Sequence, residues 1–287
     1  MPFDKRITLE APVVPEKLCD AVKRHEASFH GSVAKKRLER FLDPITYPDY
    51  AAQDRLRIAF FQGCVRSLQR TRRALDVGTG TGTWAVRLAR CADRAVGIDL
   101  WEEMLSAARS YAGSLGLQNI GFLRMDAEDM RFPDSSFEVA THFSVLMHLP
   151  NPQTALEEAY RVLTPGGHLL LETWNAEWVI YRWFLRRRHA RGRSPHMRYR
   201  FMTYKEVERI LFSCGFHVAC VSFACLVTDT MASRLCDVAR SVRGLTFLLR
   251  LAPQYFAFSS WLGRRLGRYQ RLGFLFREFH VLAQKPA

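Results

Sequence analysis

The stretch Leu75–Trp84, "LDVGTGTGTW", decides how the chain folds. An apolar run with one acid, Asp76, leads into alternating glycine and threonine. A buried strand breaks in this way into a loop where a ligand can touch backbone. A phosphate-cradling loop would need G-x-x-x-x-G-K-[ST], and no lysine follows. The dinucleotide pattern G-x-G-x-x-G fits Gly78 and Gly80 but meets Thr83 at its third glycine. Gly82 stands one place early, so the pattern is G-x-G-x-G and departs from the dinucleotide loop.

Outward from the loop, strand and helix alternate. "RALDVG", "RAVGIDL", "NIGFLRMDA", "FEVATHFSVL" and "GHLLLETW" read as five buried strands. Helices are expected over "GTWAVRLARCA", "EEMLSAARSYAGSLG" and "NPQTALEEAYRVLTPGG", the last with a Pro-Gly-Gly stop. "MTYKEVERILFSCGF" opens with Thr203 as N-cap and Glu206 three residues on, a capping box. "FHVACVSFA" and "REFHVLAQK" are the sixth and seventh strands. The alternation predicts an α/β, Rossmann-like fold with a seven-stranded, mostly parallel sheet covered on both faces. Before it, residues 1–70 read as a helical extension: an arm over 1–14, a helix from Pro15 to Phe41, and a second from Tyr50 to Leu68.

Three acids flank the loop. Asp76 precedes it, Asp99 ends the second strand about 20 residues on, and Asp126 follows the third. All three fall at carboxyl ends of neighbouring strands, which is the ligand crevice of open α/β sheets. Asp99 is placed to accept ribose hydroxyls and Asp126 to meet the edge of an adenine. Taken singly, each is also a plausible cap of the next helix.

With these residues, the chain resembles class I S-adenosylmethionine-dependent methyltransferases, in the small-molecule branch that includes quinone-biosynthesis enzymes. "LDVGTGTG", "GIDLWEEML", "MDAEDMRFPDSSFEVA" and "EAYRVLTPGGHLLLET" resemble four family motifs in order, over roughly Arg72 to Thr173. The resemblance implies S-adenosyl-L-methionine as cofactor and an antiparallel last strand. It places Gly78, Thr79, Gly80 and Gly82 against the methionine and ribose, and Asp76 near the methionine ammonium. It gives Asp99 the ribose hydroxyls, Leu100 and Met104 the adenine face, and Asp126 and Ala127 the adenine edge. His142 and Phe143 would lie beside the sulfonium, and the segments before the first strand would form a lid. In that lid Tyr47, Tyr50 and Arg57 are the polar residues that could reach the cofactor.

Methyl transfer from a sulfonium is an in-line displacement that needs alignment and a dry site more than a strong base. His142 and His148, in "THFSVLMHLP", are the candidate catalytic bases; packing or capping is the plain alternative for both. The Asn/Asp-Pro-Pro-aromatic motif of base-modifying members is absent, as is the Pro-Cys pair, so nucleobase methylation is not expected. The expected acceptor is a small molecule or lipid-like compound methylated at oxygen or carbon. The competing reading is an inactive methyltransferase scaffold that binds nucleic acid or another anion.

The 287 residues are 48 % apolar, enough for one large domain, 71–287, behind the extension. Seven scattered cysteines, none in C-x-x-C, read as core thiols, and no metal site is expected. The start, "MPFDKRITLEAPVVPEK", has no apolar secretion segment, so a cytoplasmic protein is the expectation. Net charge +14 implies an anionic partner. Eight arginines and no acid fall in 182–200, "RWFLRRRHARGRSPHMRYR", a basic loop expected to face an anionic group on the acceptor. An insertion over 226–276 separates the last two strands. In it Trp261, Leu262, Leu266, Tyr269 and Leu272 fall on one side of a single helix, with "LTFLLRLAPQYFAF" broken upstream by Pro253. A substrate lid, a dimer face or an anionic membrane surface all fit that pattern. Oligomeric state stays open.

Overall fold

The computed structural model describes residues 57–64, 71–183, 200–226, 232, 235–239, 241, 249–266 and 269–287. The arm, the first helix, Tyr47, Tyr50 and the basic loop from 184 to 199 lie outside the described residues.

Helix α1 covers 57–64. Then come β1 (Thr71–Val77), α2 (Thr83–Ala89), β2 (Ala92–Asp99), α3 (Glu102–Ser114) and β3 (Ile120–Arg124). β4 (Phe137–Phe143), a 3-10 turn (Leu146–His148), α4 (Pro152–Val162), β5 (Leu163–Trp174), α5 (Tyr204–Ser213) and β6 (His217–Leu226) follow. The chain closes with α6 (Ala252–Leu266), a 3-10 turn (Gln270–Leu275) and β7 (Phe276–Gln284).

The seven strands lie in the order β3-β2-β1-β4-β5-β7-β6. β1 pairs parallel with β2 and β4, and β7 runs antiparallel to β5 and β6. The order reverses between β1 and β4, so a crevice opens at their carboxyl ends. Side-chain alternation splits the core in two. Leu75, Ala140, Leu171 and Phe279 face α4 and α5, where Leu156, Ala159 and Leu211 pack. Ala74, Val139, Leu170 and Leu282 face the other way, toward Phe61 of α1 and Trp84 and Leu88 of α2. α1 thus lies against the sheet on the side of the glycine loop.

Three local expectations change. The Pro-Gly-Gly stretch does not separate α4 from β5. β5 starts at once at Leu163, and the pairing jumps from Phe137↔Leu163 to Val139↔His168, so residues 164–167 loop out around Gly166 at φ 77. Pro253 does not break the insertion helix: it is the second residue of α6, where the missing N–H costs no helical hydrogen bond. The helix projected through Leu272 is shorter: α6 spans Ala252–Leu266, and Gln270–Leu275 form a 3-10 turn. Leu262, Leu266 and Leu272 pack on the core, whereas Trp261 and Tyr269 are exposed, so the expected single apolar face is divided.

Candidate active site

The loop after β1 is pinned at several points. Thr79 N donates to Ile98 O at 2.8 Å. Gly80 N donates to Asp99 Oδ2 at 2.8 Å, and Trp101 N donates to Asp99 Oδ1 at 3.0 Å. Asp99 therefore fastens the loop to the end of β2. Gly78 sits at φ 64, and a Cβ there would lie 2.5 Å from Cγ2 of Val145. Gly80, at φ 54, would meet nothing within 4 Å, so it offers bare backbone to the crevice.

Asp76 is 2 % exposed and both its oxygens are taken. Thr79 Oγ1 and Thr141 Oγ1 each donate to it at 2.6 Å. Burial pushes its carboxyl up to about 6, against the pull of the two hydroxyls. Its partners make it a brace inside the sheet, tying the loop to β4, where the resemblance had implied a contact with the methionine ammonium.

Asp126 Oδ1 accepts from Glu128 N at 3.0 Å. It lines a cleft of about 360 Å³ with Leu100, Arg124, Met125, Asp129 and Arg131. Ala127 is buried beside it. Gly78, Thr79, Gly80, Gly82, Asp99, Leu100 and Asp126 thus gather along one sheet edge. Met104, expected against the adenine face, is on the buried side of α3 and is 1 % exposed.

The two residues after Thr141 part company. Phe143 turns to the α2 side, its ring 4.4 Å from that of Trp84. His142 turns to the other side, among Ala140, Leu75 and Leu171, and is 0 % exposed. Burial pulls its imidazole down to about 3. Neither ring nitrogen has a partner among the described residues. An imidazole sealed from the crevice and lowered in this way is a weak proton acceptor, so the structure lends the base role expected of His142 no support. His148 ends the 3-10 turn after β4 and is half-buried.

A group of buried charges adjoins the crevice; sequence reasoning names only Arg57 of it, as a lid residue that could reach the cofactor, and does not select the carboxylates that Arg57 meets. Glu172 on β5 and Glu278 on β7 are both fully buried. Arg57 Nη2 lies 3.2 Å from Glu172 Oε1 and 3.1 Å from Glu278 Oε2. Ser144 Oγ donates to Glu172 Oε2 at 2.6 Å. Arg277, His280 and the Cys225 thiol also meet Glu278. Burial raises the Glu172 carboxyl above its usual range, against Arg57. Burial alone would raise Glu278 too, but Arg57, His280 and Arg277 together hold it well below. The available signal was a charged residue inside each buried strand: one acid in "LLLET", and an acid with Arg277 and His280 in "REFHVL". Among the described residues no group of metal-ligating side chains forms.

Comparison with known proteins fits this geometry. The sheet order and crevice are those of the Rossmann-like methyltransferases. A putative methyltransferase from Bacillus halodurans superposes with a TM-score of 0.56 at 24 % identity, over 80 % of this chain and 98 % of that one. Geranyl diphosphate C-methyltransferase from Streptomyces coelicolor gives 0.56 at 15 % identity, over 81 % and 79 %. Residues 75–171 match the family model described as a methyltransferase domain. A demethylmenaquinone methyltransferase from Deinococcus radiodurans is 41 % identical over 102 residues, 35 % of this chain and 42 % of that protein. A ubiquinone biosynthesis O-methyltransferase from Alkalilimnicola ehrlichii is 31 % identical over 121 residues, 42 % and 48 %. The chain spans less than half the length of these curated relatives.

Proposed function

We propose that the protein is an S-adenosylmethionine-dependent methyltransferase acting at oxygen or carbon of a small, apolar, lipid-like acceptor. The observation that carries this is the bare backbone of Gly80 beside Asp99, in line with the Asp126 cleft. That donor and acceptor set suits an amino acid joined to a nucleoside. Asp99 would take the ribose hydroxyls, the loop amides the methionine end, and Asp126 the adenine amine. The cofactor supplies a methyl group already activated by positive sulfur. The chain's part is to align the acceptor and keep the site dry, and the packed rings of Phe143, at the end of β4, and Trp84 add apolar bulk on the α2 side of the loop. The relatives named for menaquinone and ubiquinone biosynthesis support a quinone-like acceptor. Calorimetry with S-adenosylhomocysteine tests the reading. Binding in the micromolar range is expected, and none at millimolar ligand would defeat it.

We further propose that the protein works peripherally on an anionic membrane, where such an acceptor resides. No described helix is long and apolar enough to cross one. The outer face of α6 is nevertheless apolar: Phe258 is 60 % and Trp261 46 % exposed, and their rings stack at 5.9 Å. The Arg265 guanidinium lies 5.0 Å over the Trp261 ring. Between Gly244 and Phe276 the sequence has five arginines and no acid. An aromatic and cationic face of this kind fits the interface of anionic lipid. Co-sedimentation with phosphatidylglycerol vesicles, and not with phosphatidylcholine vesicles, is the expected result. A protein that stays in the supernatant with both at low salt has no such role.

A further inference from the structure

The buried charges beside the crevice bear on how the cofactor loop is held. One guanidinium nitrogen of Arg57, on α1, meets three groups: Glu172 at 3.2 Å, Glu278 at 3.1 Å and Ser144 Oγ at 3.3 Å. These belong to β5, β7 and the turn after β4. Both carboxylates are buried, so taking Arg57 away leaves two like charges facing each other with less compensation. Arg57 is thus the charged link between α1 and both carboxylates, beside the apolar packing of Phe61 and Cys64. Around it, Phe60 packs on the His280 ring and Phe61 on the Trp84 ring.

The turn after β4 is the second link. Ser144 holds φ 59, a left-handed conformation that costs a non-glycine residue energy and needs surrounding contacts to persist. Those contacts are visible. Ser144 N donates to Glu172 O at 3.0 Å, and its hydroxyl donates to Glu172 Oε2 at 2.6 Å. The next residue, Val145, is the one whose methyl groups stand over Gly78, close enough to forbid any Cβ there. A continuous set of contacts thus runs from α1 through Arg57, Glu172, Ser144 and Val145 to the first glycine of the cofactor loop.

We propose that Arg57 is a positioning residue that couples docking of α1 to the shape of the cofactor loop. With Arg57 seated, the Ser144–Val145 turn is fixed and Gly78 is held in register. By linkage, a ligand that fills the loop favours the docked helix by the same factor that the docked helix favours the ligand. This rests on the cofactor reading above, and one part of its test does not.

The test uses the full chain with Arg57→Met, which keeps the stem and removes the charge, Arg57→Lys, which keeps a charge, and Ser144→Gly. The glycine keeps the left-handed turn and loses the hydroxyl link. Hydrogen exchange at 57–64 and 144–147 is read with and without S-adenosylhomocysteine, next to calorimetric affinity and circular dichroism. In the wild type, the ligand is expected to raise protection at 57–64. In Arg57→Met that gain should vanish, affinity should fall about five-fold or more, and Arg57→Lys should recover part of it. Ser144→Gly should show the same loss in weaker form, and it decides the matter if Arg57→Met fails to fold. Unchanged affinity, or an undiminished ligand effect at 57–64 in the folded variants, overturns the coupling. If the wild type binds no ligand, the function reading fails separately. Ligand-free exchange at 144–147 then decides the positioning role: faster in Arg57→Met upholds it, and unchanged refutes it.

Discussion

Two residues carry the sharpest predictions. Asp99 holds the loop amide of Gly80 and faces the crevice, so Asp99→Ala removes both an anchor and an acceptor. Affinity for S-adenosylhomocysteine should drop by about 1–3 kcal/mol, read by calorimetry, with the fold intact because the residue sits at a strand end. His142 acts on stability. Its folded pKa, about 3, lies below the ordinary value of 6.5, so the unfolded chain binds the proton first. Stability from this residue is complete above pH 6.5 and is lost as pH falls from 6.5 toward 3. His142→Leu should flatten that acid limb in urea titrations between pH 7 and 4, a window that follows from the two pKa values. An unchanged acid limb would mean that His142 takes up its proton in the folded protein.

At the scale of elements, local chemistry was reliable where the partners are close in sequence. The capping box of α5 forms as read: Glu206 N donates to Thr203 Oγ1 at 3.1 Å and Thr203 N to Glu206 Oε2 at 2.7 Å. Thr203→Ala should cost about 1 kcal/mol in a denaturant melt, and Thr203→Ser little. α6 shows the opposite case. An apolar residue every third or fourth position does not say which apolar residues meet the core, and α6 has them on two sides. Leu262 and Leu266 are claimed by the sheet, while Phe258 and Trp261 are left outside. Replacing both outer aromatics by serine should leave the melting temperature nearly unchanged, because neither is buried. It should sharply reduce sedimentation with anionic vesicles. A large loss of stability instead would place these rings in an internal contact.

For the whole molecule, a net charge of +14 sets an electrostatic attraction that salt must weaken. Vesicle association should therefore fall between 50 and 300 mM salt, concentrations spanning Debye lengths of about 14 to 6 Å. A residue of apolar association should persist in the wild type and not in the serine variant. Salt-insensitive binding would mean that charge plays no part in docking.

The order of strands and helices, the glycine loop and the placing of Asp99 at the end of the next strand were legible in the sequence, whereas the bond from Gly80 N to Asp99 was not. They depend on hydrophobic period, on turn residues and on spacing, all of which act over short stretches of chain. Four family-like motifs then extended that reading to the cofactor. The sequence could not say which face His142 or Met104 would take at the end of its element, since a step of one residue turns a side chain from crevice to core. Nor could it bring Arg57 to Glu172 and Glu278, 115 and 221 residues away along the chain. Only the folded sheet, with β7 inserted antiparallel between β5 and β6, sets those two carboxylates side by side under α1. Burial then decides their charge, because the low-dielectric interior holds an anion only where a cation reaches it.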